Sequence, residues 1–260
     1  MSIQHRFSAF GILVAALLHV LPATAQDKVV VLDGSSLLVD DVFRVAAENY
    51  QVTIAPSAMD LMRKSHELLL AAGEQGIPIY GLNRGVGLNK DKTIRKEASR
   101  QFNENNLRAT SAGAGAEASE AVVRAAMVIR LNTMLLGRTG AQPRVAELYR
   151  DFLNQKIHPV LPTRASIGEA DITILAHVGL AMIGEGYVVY AKTGSDVRTR
   201  MTAKKALADA RIDPLVPFAK DSLAIMSSNA YAAAVALMAA LDVRRLLTKA
   251  PGVSRSAWKV

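Results

Sequence analysis

No cysteine occurs among the 260 residues, which excludes a disulfide framework, thiolate zinc sites and cysteine catalysis together. Histidine is scarce. Two of the five fall in the first 25 residues, leaving His66, His158 and His177, which lie too far apart for a histidine metal site, so no metal is expected. Within Val122 to Leu136 the longest unbroken apolar run, Ala125 to Ile129, is too short to cross lipid. The 17 glycines and 9 prolines follow no period and half the residues are apolar, so the chain is neither collagen-like nor disordered. Lysine and arginine outnumber the acids 31 to 23, a net +8 that favours anionic partners. The basic stretch Lys90, Lys92, Arg95, Lys96, Arg100 has no interleaved aromatics, Phe102 being the nearest, so it reads as a solvated helix face and no nucleic-acid partner is expected.

Residues Met1 to Ala25 combine a basic start at Arg6, an apolar stretch from about Ala9 to Val20, a break at Pro22 and the small-residue run Ala23-Thr24-Ala25. This pattern predicts a signal peptide cut before Gln26 and an exported chain, periplasmic or secreted, with no membrane contact once the leader is removed. Residues 26–260 read as one domain.

Val29-Val30-Val31-Leu32, closed by Asp33-Gly34, predicts a short strand. Asp40-Asp41 then caps a helix to about Asn49, and Ser57 with Asp60, behind Pro56, starts another that ends near Gly73 and Gly76. Val122 to Leu136 is apolar on nearly every side of a helical wheel, the pattern of a buried helix. Ile172 to Gly184 is similar, and Ala230 to Leu241 is alanine-rich, which favours close helix packing. The predicted fold is mainly α, a long-helix bundle with a small amino-terminal part carrying one short strand.

Several familiar motifs fail. Gly113-Ala114-Gly115 with Ala118 imitates a dinucleotide fingerprint, but no strand is expected before it and Leu135 stands where a ribose-binding acid belongs. Gly85 to Lys90 lacks the Gly-Lys-Ser/Thr ending of a phosphate loop, and no Gly-x-Ser-x-Gly elbow occurs.

One constellation survives. Ile79-Tyr80-Gly81-Leu82-Asn83-Arg84-Gly85-Val86-Gly87 resembles the Tyr-Gly-x-Asn-Thr-Gly-x-Gly loop of the aromatic amino acid ammonia-lyases, the group holding histidine and phenylalanine ammonia-lyase. Later blocks follow in the same order. Asn105 to Gly115, Val123-Arg124 through Arg130-x-Asn132 to Gly140, Pro159 to Pro162, Ala165 to Asp171, Leu175-Ala176-His177 and Ile183 to Gly186 all have counterparts, so the likeness covers roughly Val29 to Leu247. It implies carbon–nitrogen elimination from an aromatic amino acid, of the histidine or the phenylalanine/tyrosine type, giving ammonia and an unsaturated acid.

That reaction must remove a weakly acidic β-proton and expel a poor leaving group. The resemblance makes Tyr80 the base. A phenol ordinarily titrates near 10, so its pocket must offer the oxyanion cations or hydrogen-bond donors. Arg84, where the family has threonine, is a candidate neighbour, and Asn83, Gly87, Thr110, Ser227 and Asn229 are the other candidate substrate-binding residues. The family's electrophile, a methylidene-imidazolone ring made from Ala-Ser-Gly, has no precursor here: Gly168-Glu169-Ala170-Asp171 is one residue shorter and has no serine to dehydrate. No cofactor is therefore expected. Glu169 and Asp171 become candidate catalytic carboxylates which, if buried together, would raise one another's affinity for protons. Without the ring, a substrate with a trimethylammonium leaving group, an amino acid betaine, is the alternative, as for ring-free relatives; a homologue that only binds is a further one.

Family members are much longer, so the chain corresponds to their amino-terminal half. The segment 250–260 is atypical, and Pro251-Gly252 predicts a helix break in a truncated or frame-shifted end. The resemblance implies a homotetramer at full length, with active sites drawn from several subunits.

Overall fold

The computed structural model describes residues 28–192, 195 and 197–257; the predicted leader lies outside them, as do the last three residues of the atypical tail. The first strand forms where the sequence places it. β1 (Val29–Leu32) pairs in parallel with β2 (Gln51–Ile54), Val29 opposite Gln51 and Leu32 opposite Ile54. A parallel pair needs a crossover, and α1 (Val39–Ala47) supplies it. Its start differs from expectation: Leu38 is the cap position and Asp40 and Asp41 fall inside the first turn. There Asp41 Oδ2 accepts from the Leu38 amide at 3.3 Å, and the helix dipole favours both acids. α2 (Pro56–Glu74) begins with its proline in the first turn, where no intrahelical N–H is needed.

The basic stretch corrects a second expectation. Lys90, Lys92 and Arg95 lie in irregular chain between two short 3₁₀ turns, Gly87–Asn89 and Lys96–Ala98, and α3 (Ser99–Thr110) starts only after them. Beyond α3, β3 (Ala114–Glu117) pairs antiparallel with β5 (Pro162–Arg164). A three-stranded antiparallel sheet of β4 (Ile157–Pro159), β6 (Tyr187–Ala191) and β7 (Arg198–Thr202) has β6 in its centre. These strands are three to five residues long, too short for sequence alternation to announce them.

α4 (Glu120–Met134) is the axis of the bundle, as its all-round apolar pattern demands. The Ser119 side chain caps it, and α1, α5 (Pro143–Asn154) and the early turns of α9 (Ala230–Ala257) pack on it. α6 (Ile172–Met182) packs on α3 and on the short α8 (Asp221–Met226), while α7 (Ala203–Ala210) lies against β6 and β7. α9 stays helical across Pro251-Gly252 to Ala257, where a break is predicted. A proline removes one backbone bond, and the turns on either side can carry the helix past it.

Arg124 of α4 is buried and donates to the Val45 and Leu153 carbonyls, each at 2.8 Å, and to His158 Nε2 at 3.1 Å. The two carbonyls belong to the last turns of α1 and α5, so one guanidinium satisfies orphan acceptors at two negative helix ends. Burial lowers its pKa to about 10, which leaves it charged at neutral pH.

His158, 3% exposed, is pushed down to about 3 by burial and then by the charges of Arg124, Arg198 and Lys156. Its Nδ1 lies 3.7 Å from Glu120 Oε1. This is a neutral contact and not an ion pair, because the desolvation and three cations outweigh one carboxylate that Arg198 already engages. The unfolded chain protonates this histidine near 6.5, so the stability is complete above that pH and is lost as pH falls toward 3, by about 1.4 kcal/mol per unit. Urea midpoints at pH 7, 6 and 5 should therefore fall more steeply for the parent than for His158→Gln. Parallel slopes would refute the neutral assignment.

Candidate active site

The glycine loop between α2 and α3 is shaped by its own side chains. Asn83 Oδ1 accepts from the Ile79 amide and its Nδ2 donates to the Ile77 carbonyl, both at 2.8 Å, which closes the turn around Tyr80. Asn83 thus spends its polar groups on the loop and faces a different cavity from Tyr80. Gly81 has a φ of +76° and lies against Leu223 of α8, with no room for a β-carbon, so the loop is seated directly on that helix.

Tyr80 is 48% exposed and opens onto a cleft of about 540 Å³ with Pro78, Arg84, Lys90 and Asp91. The Gly87 amide donates to its phenolic oxygen at 2.9 Å. Such a bond strengthens when the acceptor becomes an oxyanion, so the donor expected beside a phenolic base is present in the backbone. Arg84 shares the cleft, and its Nη1 donates to the Asp91 carbonyl at 3.3 Å and to Thr93 Oγ1 at 3.0 Å. It braces the following turn. Lys90, read from the sequence as part of a solvated basic face, and Asp91, which the sequence did not single out, also line the cleft; isolated charges in a polar loop give no signal of a site.

The two candidate carboxylates are not buried together. Glu169 is exposed, just past Gly168 at φ +89°, whereas Asp171 is fully buried. Asp171 Oδ1 accepts from Ser166 Oγ at 2.7 Å and Oδ2 from the Ala232 amide at 2.8 Å. Ala232 lies in the first turn of α9, so Asp171, itself at the start of α6, caps a different helix, whose positive end favours the carboxylate. The Asp171 amide donates to the Ser228 carbonyl at 2.7 Å, closing the join from the other side.

At this join Ser166 also accepts from the Gly168 amide at 3.0 Å. Its hydroxyl is engaged from both sides, and Glu169 and Ala170 occupy the positions where ring precursors would stand, so the residues present do not fit a methylidene-imidazolone ring.

Ser227 and Asn229 are exposed on either side of the half-buried Ser228, and Thr110 is half-buried as the last residue of α3. α8 connects the two halves: Leu223 underlies Gly81, and four residues later its chain enters the Ser227–Asn229 segment held by Asp171. α8 itself is held from α3. Asn103 donates to the Ala219 carbonyl at 3.0 Å and accepts from the Ser222 amide at 2.9 Å, Ser99 Oγ accepts from the Ala219 amide at 3.0 Å, and Asn106 donates to Ser222 Oγ at 3.1 Å. The spacing Ser99, Asn103, Asn106 is one face of a helix, a signal available in the sequence. Asp221, buried and with its pKa raised by that burial, ties the same turn to Gln142.

The chain matches the family model for aromatic amino acid lyases over residues 37–257. Histidine ammonia-lyase of Gloeobacter violaceus is 35% identical over 216 residues, 83% of this chain and 40% of that protein. The crystal structure of the ergothioneine-degrading enzyme ergothionase from Treponema denticola, in complex with desmethyl-ergothioneine sulfonic acid, superimposes with a TM-score of 0.79 at 39% identity, covering 84% of this chain and 43% of that one. Tyrosine aminomutase from Streptomyces globisporus gives 0.73 at 32% identity, with coverages of 80% and 38%. The chain spans about 40% of the length of these relatives.

Proposed function

Because this chain belongs to the aromatic amino acid lyase family, we propose that it serves carbon–nitrogen elimination by a route that needs no methylidene-imidazolone ring. The observation that carries this reading is the join around Asp171, where Glu169 and Ala170 replace the ring precursors and Ser166 is committed to hydrogen bonds. Without an electrophile to activate an amine, the substrate must bring its own leaving group. A trimethylammonium does so, and ergothioneine, named with the ergothionase relative, is a betaine of this kind.

In the proposed reaction the Tyr80 oxygen takes the β-proton while the Gly87 amide steadies the oxyanion, and Arg84 and Lys90 offer the cleft a positive wall for the substrate carboxylate. The electrons of the broken C–H bond form the new C=C bond as the C–N pair leaves with trimethylamine. Tyrosine then returns its proton to solvent. Asp171 acts as a positioning residue, because both its oxygens hold Ser166 and α9. Thr110, Ser227 and Asn229 stand as candidates for shaping the substrate side chain, and exposed Glu169 as a candidate partner for its cationic group.

The second reading, ammonia release from a free aromatic amino acid, is favoured by the histidine ammonia-lyase relative. Incubating the chain with ergothioneine and, separately, with histidine, phenylalanine and tyrosine distinguishes the two. Trimethylamine and a conjugated acid should appear from the betaine alone. Ammonia from a free amino acid would overturn the ring-free reading. Export after cleavage before Gln26 is supported by the pattern of Met1 to Ala25, and assembly into a homotetramer at full length by the exposed apolar Val243, Leu246 and Leu247 of α9.

A further inference from the structure

Residues of the glycine loop divide between two cavities. Tyr80 and Arg84 line the cleft described above, while Leu82 and Asn83 line a separate one of about 270 Å³ between α2, the start of α3 and Phe218. Leu70, Leu82, Ile94 and Phe218 form its apolar wall, and each is half-buried, so part of that wall is uncovered by protein. Glu74 and Lys96 also line it, with Lys96 Nζ 3.2 Å from Glu74 Oε1 and both side chains more than two-thirds exposed. An ion pair this exposed is weak, so a ligand can part it at little cost.

We infer that this cavity binds an α-amino acid zwitterion, or the corresponding betaine, with an apolar or aromatic side chain. The ligand's carboxylate meets Lys96, its cationic nitrogen meets Glu74, and its side chain covers Leu70, Leu82, Ile94 and Phe218. Only a zwitterion matches all three features. A simple anion is repelled by Glu74, a simple cation by Lys96, and a hydrocarbon leaves the ion pair unused. The volume lies just under the range of sites for drug-sized molecules, which suits one amino acid and not a peptide. Asn83, which closes the turn around Tyr80, forms part of the wall, so an occupied cavity braces the base-bearing loop from behind. This inference needs no chemistry at Tyr80 and stands or falls independently of the elimination reading.

Calorimetric titration of the full chain with L-phenylalanine and L-leucine tests it, with N-acetyl-L-phenylalanine and phenethylamine as controls that each lack one charge. Saturable binding is expected for the two zwitterions and at least about threefold weaker binding for the controls. Lys96→Gln and Glu74→Gln should each weaken binding about threefold, and Ile94→Trp or Leu70→Phe, which fill the cavity, by about tenfold or more. Using two filling variants, each checked by circular dichroism, separates lost binding from lost folding. The inference is overturned if no saturation occurs at millimolar ligand, if the controls bind equally well, if both folded filling variants bind like the parent, or if Tyr80→Phe abolishes binding, which would place the ligand in the other cleft.

Discussion

Replacing Tyr80 with phenylalanine is expected to lower the rate of elimination by about 10²- to 10⁴-fold, the usual worth of a positioned general base, with little change in KM. The side chain keeps its ring and loses one oxygen, the one that accepts from the Gly87 amide at 2.9 Å. Stability should change by less than about 1 kcal/mol, because the bond sits at an exposed loop and the freed amide can turn to water. The measurement is the rate of trimethylamine release from ergothioneine by parent and variant, with thermal melts alongside. A fall of less than about fivefold in an equally stable protein would remove Tyr80 from the chemistry, since general-base catalysis supplies far more than that.

Arg124→Met has the opposite profile. Its effect is on folding, and it should be the most destabilising single change among the residues discussed. Removal of the guanidinium orphans the Val45 and Leu153 carbonyls and leaves His158 Nε2 without its donor, all in the interior. Breaking such a buried charged centre from one side costs about 3–5 kcal/mol. At this size each kcal/mol shifts the melting temperature by about 2–4 °C, so Tm should fall by roughly 6–20 °C. Arg124→Lys should fall in between, because an ammonium keeps the charge near two helix ends but lacks the planar fork that reaches three acceptors at once. A Tm within about 2 °C of the parent for Arg124→Met would contradict the role given to this residue.

Part of the candidate site was legible in the primary structure where the signal is local. The loop from Tyr80 to Gly87, the all-round apolar stretch that became α4 and the missing serine between Gly168 and Asp171 are each properties of a few consecutive residues. Arg124 and Arg130 could be noticed as charges in an apolar helix, but their partners could not be named. The pairing of Glu169 with Asp171 failed for a related reason: proximity along the chain says nothing about which side of a turn each carboxylate faces.

Sequence alone determined the mainly helical class, the family resemblance and the absence of a ring precursor, since composition, periodicity and motif order need no knowledge of distant neighbours. Tertiary structure decided that Asp171 caps a helix starting some sixty residues later and that Arg124 reaches a carbonyl 79 positions away. It also decided that Leu82 and Tyr80, two residues apart, serve different cavities. Hydrogen bonds and cavities form wherever packing brings groups together, and that packing minimises exposed apolar surface across the whole chain, so no window of sequence contains it.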